Sequence, residues 1–217
     1  MNLYFRLLFI ILLLSCHDIK AQTQITNFRD RGGDKGSLPI GFVQFKGQMF
    51  FQASTPDRGT ELWVSDGSQQ NTQVLKDICP GECDGLKTPF PKPDSKSAVV
   101  GGDQLFFIGS DGDQPYQLWS TQGTEANTET IANLPGEVIS ELAFVGNHVF
   151  FLIQDPNKEQ VQVWKSDGTE DGTVLVKNIS SRWSPYLEIT NNLYFFANRV
   201  PQSGRVQVEQ VFLVLVV

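Results

Sequence analysis

The chain has 217 residues, enough for one or two domains with a sizeable core. Its formal net charge is -7, with 17 basic residues scattered among 24 acidic ones. Displacing counterions from nucleic-acid phosphates needs clustered Lys and Arg, so nucleic acid is set aside as a partner.

The N-terminus reads as a targeting segment over residues 1–21. Arg6 supplies a short, weakly positive start, and Leu7 to Leu14 is uninterrupted and apolar. Such a run is too short to span a bilayer but fits the core of an export signal. Two processing routes stay open. Cleavage after Ala21 would release a chain starting at Gln22. Alternatively, Leu13-Leu14-Ser15-Cys16 resembles a lipobox, with Cys16 as the lipidated first residue. Both routes place the protein outside the cytoplasm, secreted or attached to the cell surface, and a lipid on Cys16 would be its only tie to a membrane. Residues 22–38 read as a linker, and repeats occupy 39–199.

The first repeat divides into four short strands, near Gly41–Phe45, Met49–Ala53, Glu61–Ser65 and Gln73–Ile78. Turn residues at Lys46-Gly47, Pro56–Gly59 and Asp66–Gln70 separate them. Cys79 and Cys83 follow in CPGEC. In an exported chain, two Cys flanking a turn read as a disulfide clip; zinc would need further ligands, and only His17 and His148 exist. A Pro-rich stretch at Pro89, Pro91 and Pro93 then reads as an inserted loop.

The pattern recurs. Aromatic pairs stand at Phe50-Phe51, Phe106-Phe107, Phe150-Phe151 and Tyr194-Phe195; Trp follows at Trp63, Trp119 and Trp164. Beyond each Trp comes a turn, DGS at Asp66 to Ser68, QGT at Gln122 to Thr124 and DGT at Asp167 to Thr169. The period is about 45 residues, stretched to about 56 by the first insertion, which marks a repeat architecture. Four antiparallel strands per unit make a propeller blade. Adjacent aromatics on one strand point to opposite faces, so both faces of each sheet must be covered. Stacked blades do this, as would a β-solenoid. The expected fold is therefore all-β and propeller-like, and incomplete: about three blades and the start of a fourth. The Trp due near Glu209 is missing, and residues 200–217 diverge, ending in VFLVLVV. That end is either a buried strand or the product of a truncation; failure of the motif in mid-unit favours the second.

ELWVSDG at Glu61–Gly67, YQLWSTQGT at Tyr116–Thr124 and VWKSDGTEDGT at Val163–Thr173 resemble the bacterial ELWxxDGT repeat. LKDICPG at Leu75–Gly81, VKNIS at Val176–Ser180, SLP at Ser37–Pro39 and WSP at Trp183–Pro185 match its linking segments. The resemblance covers roughly Gly36 to Asn198. It implies a large exported repeat protein of propeller-like structure, with no defined reaction.

Structural roles follow for the repeat positions Phe51, Leu62, Trp63, Asp66, Gly67, Phe107, Leu118, Trp119, Gly123, Thr124, Phe151, Trp164, Asp167, Gly168 and Thr169. Their aromatic and aliphatic members are expected in the core and the others in hairpin turns. Asp and Thr oxygens on successive turns could hold calcium, but Gln122 breaks the series, so no metal site is assigned. Trp183 and Tyr186, outside the regular Trp position, are the expected exposed aromatic contacts. No triad, metalloprotease motif or phosphate loop is present, so no catalytic residue and no cofactor are assigned. The leading expectation is a non-catalytic scaffold binding protein or glycan. A polysaccharide-acting propeller enzyme and a non-functional fragment are the alternatives. An open arc of blades would leave aromatic faces wet, which points to self-association or missing blades.

Overall fold

The computed structural model describes residues 37, 39–87, 98–140, 142–155, 160–180, 186–190, 193–202 and 205–215, with the backbone alone at 155 and from 179 onward. The leader, Cys16 and most of the linker lie outside the described residues.

Strands β1 (Ile40–Phe45), β2 (Gln48–Thr55), β3 (Gly59–Ser65) and β4 (Gln73–Val74) form the first sheet, antiparallel and in chain order. Strands β5 (Ala98–Gly101), β6 (Gln104–Gly109), β7 (Gln117–Thr121) and β8 (Thr128–Asn133) form the second in the same way. In the third, β9 (Glu137–Val138) and β10 (Ala143–Val145) share the inner position beside β11 (His148–Asp155), followed by β12 (Gln160–Ser166) and β13 (Val174–Ser180). The last sheet has three strands, β14 (Tyr186–Thr190), β15 (Leu193–Gln202) and β16 (Arg205–Leu215). The fold is thus all-β, with propeller-like blades in an incomplete set. The inner strands β1, β5 and β10 lie side by side.

Local sequence explains the hairpins. Lys46 and Gly47 both take positive φ, 47° and 77°, the two-residue turn whose twist matches that of the flanking strands. The register then sets Phe51 opposite Trp63, Phe107 opposite Trp119 and Phe151 opposite Trp164.

One sequence expectation changes. The fourth strand of the first sheet stops at Val74 instead of running to Ile78. The Leu75 N–H still donates to Leu62 O at 2.8 Å. The chain then turns away, the Cys79 N–H donates to the Glu61 side chain, and Pro80 has no N–H to offer. Within the divergent end, β16 pairs with β15 from Gln202↔Arg205 to Leu193↔Leu215.

The core follows from the two-faced strands. Val43, Phe45, Phe50, Leu62 and Val64 of the first blade pack on Leu105, Phe107 and Trp119 of the second. Phe106, Ile108 and Leu118 of the second pack on Val149, Phe151 and Ile153 of the third, with Trp164 against them. Phe50 and Phe106 therefore look to the following blade, and Phe107 and Phe151 to the preceding one. Phe107 is fully buried and stacks on Trp119 with ring centroids 6.3 Å apart. Phe107→Ala is expected to cost about 3–5 kcal/mol, by loss of burial plus the cavity left between blades. Urea unfolding followed by tryptophan fluorescence measures it.

Candidate functional site

The DGT turns are closed by their own side chains. In the first blade the Gly67 N–H donates to Ser65 Oγ at 3.0 Å, and Ser65 Oγ lies 2.7 Å from Thr72 Oγ1. Asp66 Oδ1 accepts the Ser68 N–H and hydroxyl at 2.9 and 2.6 Å. The third blade repeats this with Ser166, Thr173, Asp167 and Thr169. The Ser68 hydroxyl holds the Asp66 carboxyl below its usual range, and the Thr169 hydroxyl does the same for Asp167.

The second blade lacks the Asp, and the structure shows the substitute. Asn127 Oδ1 accepts the Thr124 N–H at 2.9 Å, while Thr121 Oγ1 accepts the Gly123 N–H at 3.0 Å and the Thr128 hydroxyl at 2.7 Å. The turn needs an acceptor at this point, not a negative charge. Among the described residues no group of three or more His, Cys, Asp or Glu could hold a metal ion.

The hydroxyl pairs Ser65/Thr72, Thr121/Thr128 and Ser166/Thr173 were visible in the sequence only as part of the motif. Thr121 and Thr128 are buried. Thr121→Val removes the acceptor for two donors and is expected to cost about 1–3 kcal/mol. Thermal melts of the variant, run with and without calcium, check this; the loss should be the same in both.

A second cluster centres on Glu61, which sequence reading treated only as part of ELW. Glu61 is fully buried. Its Oε1 accepts the Cys79 N–H at 3.2 Å, and Oε2 has no hydrogen-bond partner among the described residues. Cys79 and Cys83 are joined by a disulfide that closes the loop beside it. A side chain on Gly85 would run into the Glu61 carboxyl, which would have to shift to admit it. Beyond the loop the chain straps two blades together. The Leu86 N–H donates to Thr60 O, the Lys87 N–H to Ile108 O and the Ser110 N–H to Gly85 O, each at 2.9 Å. Gln117 and Gln162 hold the equivalent position, two residues before Trp. Gln117 accepts the Asp111 N–H at 3.1 Å and the Trp119 Nε1–H at 3.3 Å, and its amide donates to Asp111 and Asn133 at 3.0 Å each. Gln162 accepts the Trp164 Nε1–H at 2.9 Å. In the first two blades this position organises the outer loop.

Burial raises the Glu61 pKa from an ordinary 4.5 to about 7, against a partial offset by the backbone N–H groups of Cys79 and Ile78, and with the Asp77 carboxyl adding to the rise. The folded chain therefore holds a proton that the unfolded chain releases. The stabilising contribution is complete below pH 4.5 and is lost as the pH rises through about 7. Between pH 5 and pH 8 this amounts to about 2–3 kcal/mol, or about 5–10 °C in Tm. Glu61→Gln should remove that part of the pH dependence in melts across the range.

An open cavity of about 290 Å³ lies between the inner strands of the first two blades. Phe42, Val43, Gln44, Ala98, Val99 and Val100 line it. None of these side chains titrates. Phe42 and Val100 are exposed. Trp183 lies outside the described residues, and Tyr186 lies on β14, where only the backbone is described. The expected contact pair is therefore not brought to this cavity by anything described.

No family model matches the chain, and no curated protein matches it. Among solved structures it is similar to the computationally designed Ika4 protein, at 14% identity and TM-score 0.47, covering 89% of this chain and 99% of that one. It is similar to a chain of a nidogen/laminin complex, at 13% identity and TM-score 0.45, covering 81% of this chain and 59% of that one. It is also similar to the xyloglucan PUL GH43B protein of Bacteroides ovatus, at 12% identity and TM-score 0.42, covering 76% of this chain and 36% of that one. The chain thus spans well under two thirds of the second and third of these. None of these similarities carries a ligand or a reaction to this chain.

Proposed function

We propose that this protein is a non-catalytic exported repeat scaffold that binds a protein or glycan partner at the cell surface, using the cavity between its first two blades. The observation that carries this reading is the chemistry of that cavity. Its lining offers an exposed aromatic ring, aliphatic side chains and one amide, and no acid, base, thiol or hydroxyl. An aromatic face with a nearby amide suits the apolar face and hydroxyls of a sugar, or an apolar side chain with its peptide group. The chemically reactive side chains elsewhere support the same reading. Asp66, Asp111 and Asp167 are tied into their turns, and Glu61 is enclosed beneath the disulfide loop. The resemblance to ELWxxDGT repeats and the N-terminal export signal supply the location. Release after Ala21 and lipid attachment at Cys16 are both compatible with it.

Glycan and cell-surface protein arrays probed with the labelled chain test the reading. Binding is expected, and Gln44→Ala with Val100→Asp should weaken it about tenfold or more, the size of one lost polar contact plus a charge placed in an apolar site. An absence of binding on both arrays, or turnover of a glycan, would overturn it.

A further inference from the structure

The internal repeats show what a covered blade face looks like, and among the described residues nothing covers the first blade in that way. Met49, Leu105 and Val149 stand at the same position, one residue before the aromatic pair. Leu105 and Val149 are 0% exposed, packed on the preceding blade, whereas Met49 is 38% exposed. Phe42 stacks on Phe51 with centroids 5.2 Å apart and is itself 54% exposed.

The turns give the same answer from an independent direction. A Cβ built on Gly123 would lie 3.7 Å from Phe50 Cζ of the preceding blade, and one on Gly168 would lie 3.6 Å from Phe106 Cζ. Each turn is seated on the first aromatic of the blade before it. A Cβ on Gly67 would meet nothing within 4 Å. The first blade thus presents a seat, shaped like the two filled ones, with Met49, Phe42 and the Gly67 turn around it.

The filled seats define the missing occupant as the trailing face of a repeat sheet, with an aromatic at the position of Phe50, Phe106 and Phe150. In this chain the trailing sheet is β14–β16, and the residue at that repeat position is Tyr194. Propellers close with about four to eight blades, and two arcs of this chain together would supply that number. We propose that the first-blade face of one chain docks the last sheet, β14–β16, of a second copy, head to tail, so that two arcs close into one ring. Closure also removes the wet apolar ends and leaves no further seat, so assembly stops at two. The inference stands on the inter-blade contacts and does not depend on the ligand reading above.

Sedimentation velocity over a concentration series tests it on the full chain. A monomer–dimer equilibrium is expected, with no larger species. Met49→Asp should weaken dimerisation about 30-fold or more, as for a central apolar contact replaced by a charge, while Tm measured at concentrations where the chain is monomeric stays unchanged, because Met49 is a surface residue of the monomer. Phe42→Asp should act in the same direction and guards against a folding defect in either variant. Hydrogen exchange should show protection gained on dimerisation in both β1–β2 and β14–β16. A chain that stays monomeric at all concentrations, a dimer indifferent to both substitutions, or protection confined to β1–β2 would overturn the proposal.

Discussion

The junction between the first two blades is held by a ring stack of the second blade packed on the face of the first. The second aromatic of the pair and the Trp opposite it on the neighbouring strand form one apolar plate. In the second blade this plate is Phe107 on Trp119, buried against Phe50, Leu62 and Val64. A two-strand hairpin is marginal in water, and a four-stranded blade standing alone would leave both of its apolar faces wet. Stability therefore lies between blades more than within them. Lys76 shows how far this reaches: its ammonium donates to Thr128 O at 2.7 Å and sits 5.8 Å from the Trp119 ring centroid, both in the next blade.

The turns depend on the stack in their turn. Gly123 and Gly168 take φ of 110° and 94°, which an L side chain adopts at a cost, and each sits over a phenylalanine of the blade before. The hydroxyl pair and the Asp or Asn acceptor hold the loop in that conformation without help from solvent. What reads as a chain of acidic sites along the sequence is a set of closed hydrogen-bonded loops.

The blade count, the strand pairs and the turn positions were legible because they rest on local rules: alternation, turn chemistry and a repeated period. The Trp positions show both the reach and the limit of this: their place beside Leu or Val on a central strand sets them on a blade face, but only Trp119 is buried, while Trp63 and Trp164 are half-buried because burial depends on the neighbouring blade. The early end of β4 was not legible, because it depends on Glu61 drawing in the Cys79 N–H across a sequence gap that no local pattern encodes. The role of Asn127 was hidden for the same reason. The turn's acceptor is fixed by position in space, and in the second blade it comes from after the loop instead of within it. The cavity beside Phe42 lay beyond sequence reading too, because it needs two inner strands of different blades to be placed side by side.

Comparison among the blades separates what the architecture demands from what this chain adds. Leu62, Leu118 and Val163, the aromatic pairs and the hydroxyl pairs recur at matched register, so each is accounted for by stacking or by turn closure. One group of departures from the repeat lies at the first junction. There the Gln of the later blades is Glu61, the link is lengthened and closed by Cys79–Cys83, and the strap through Gly85–Lys87 binds the first blade to the second. This is also the junction whose inner strands enclose the open cavity. The buried carboxyl, the disulfide and the strap thus lie at one junction, the one whose inner strands line the cavity, so what this chain adds to the repeat is gathered between its first two blades.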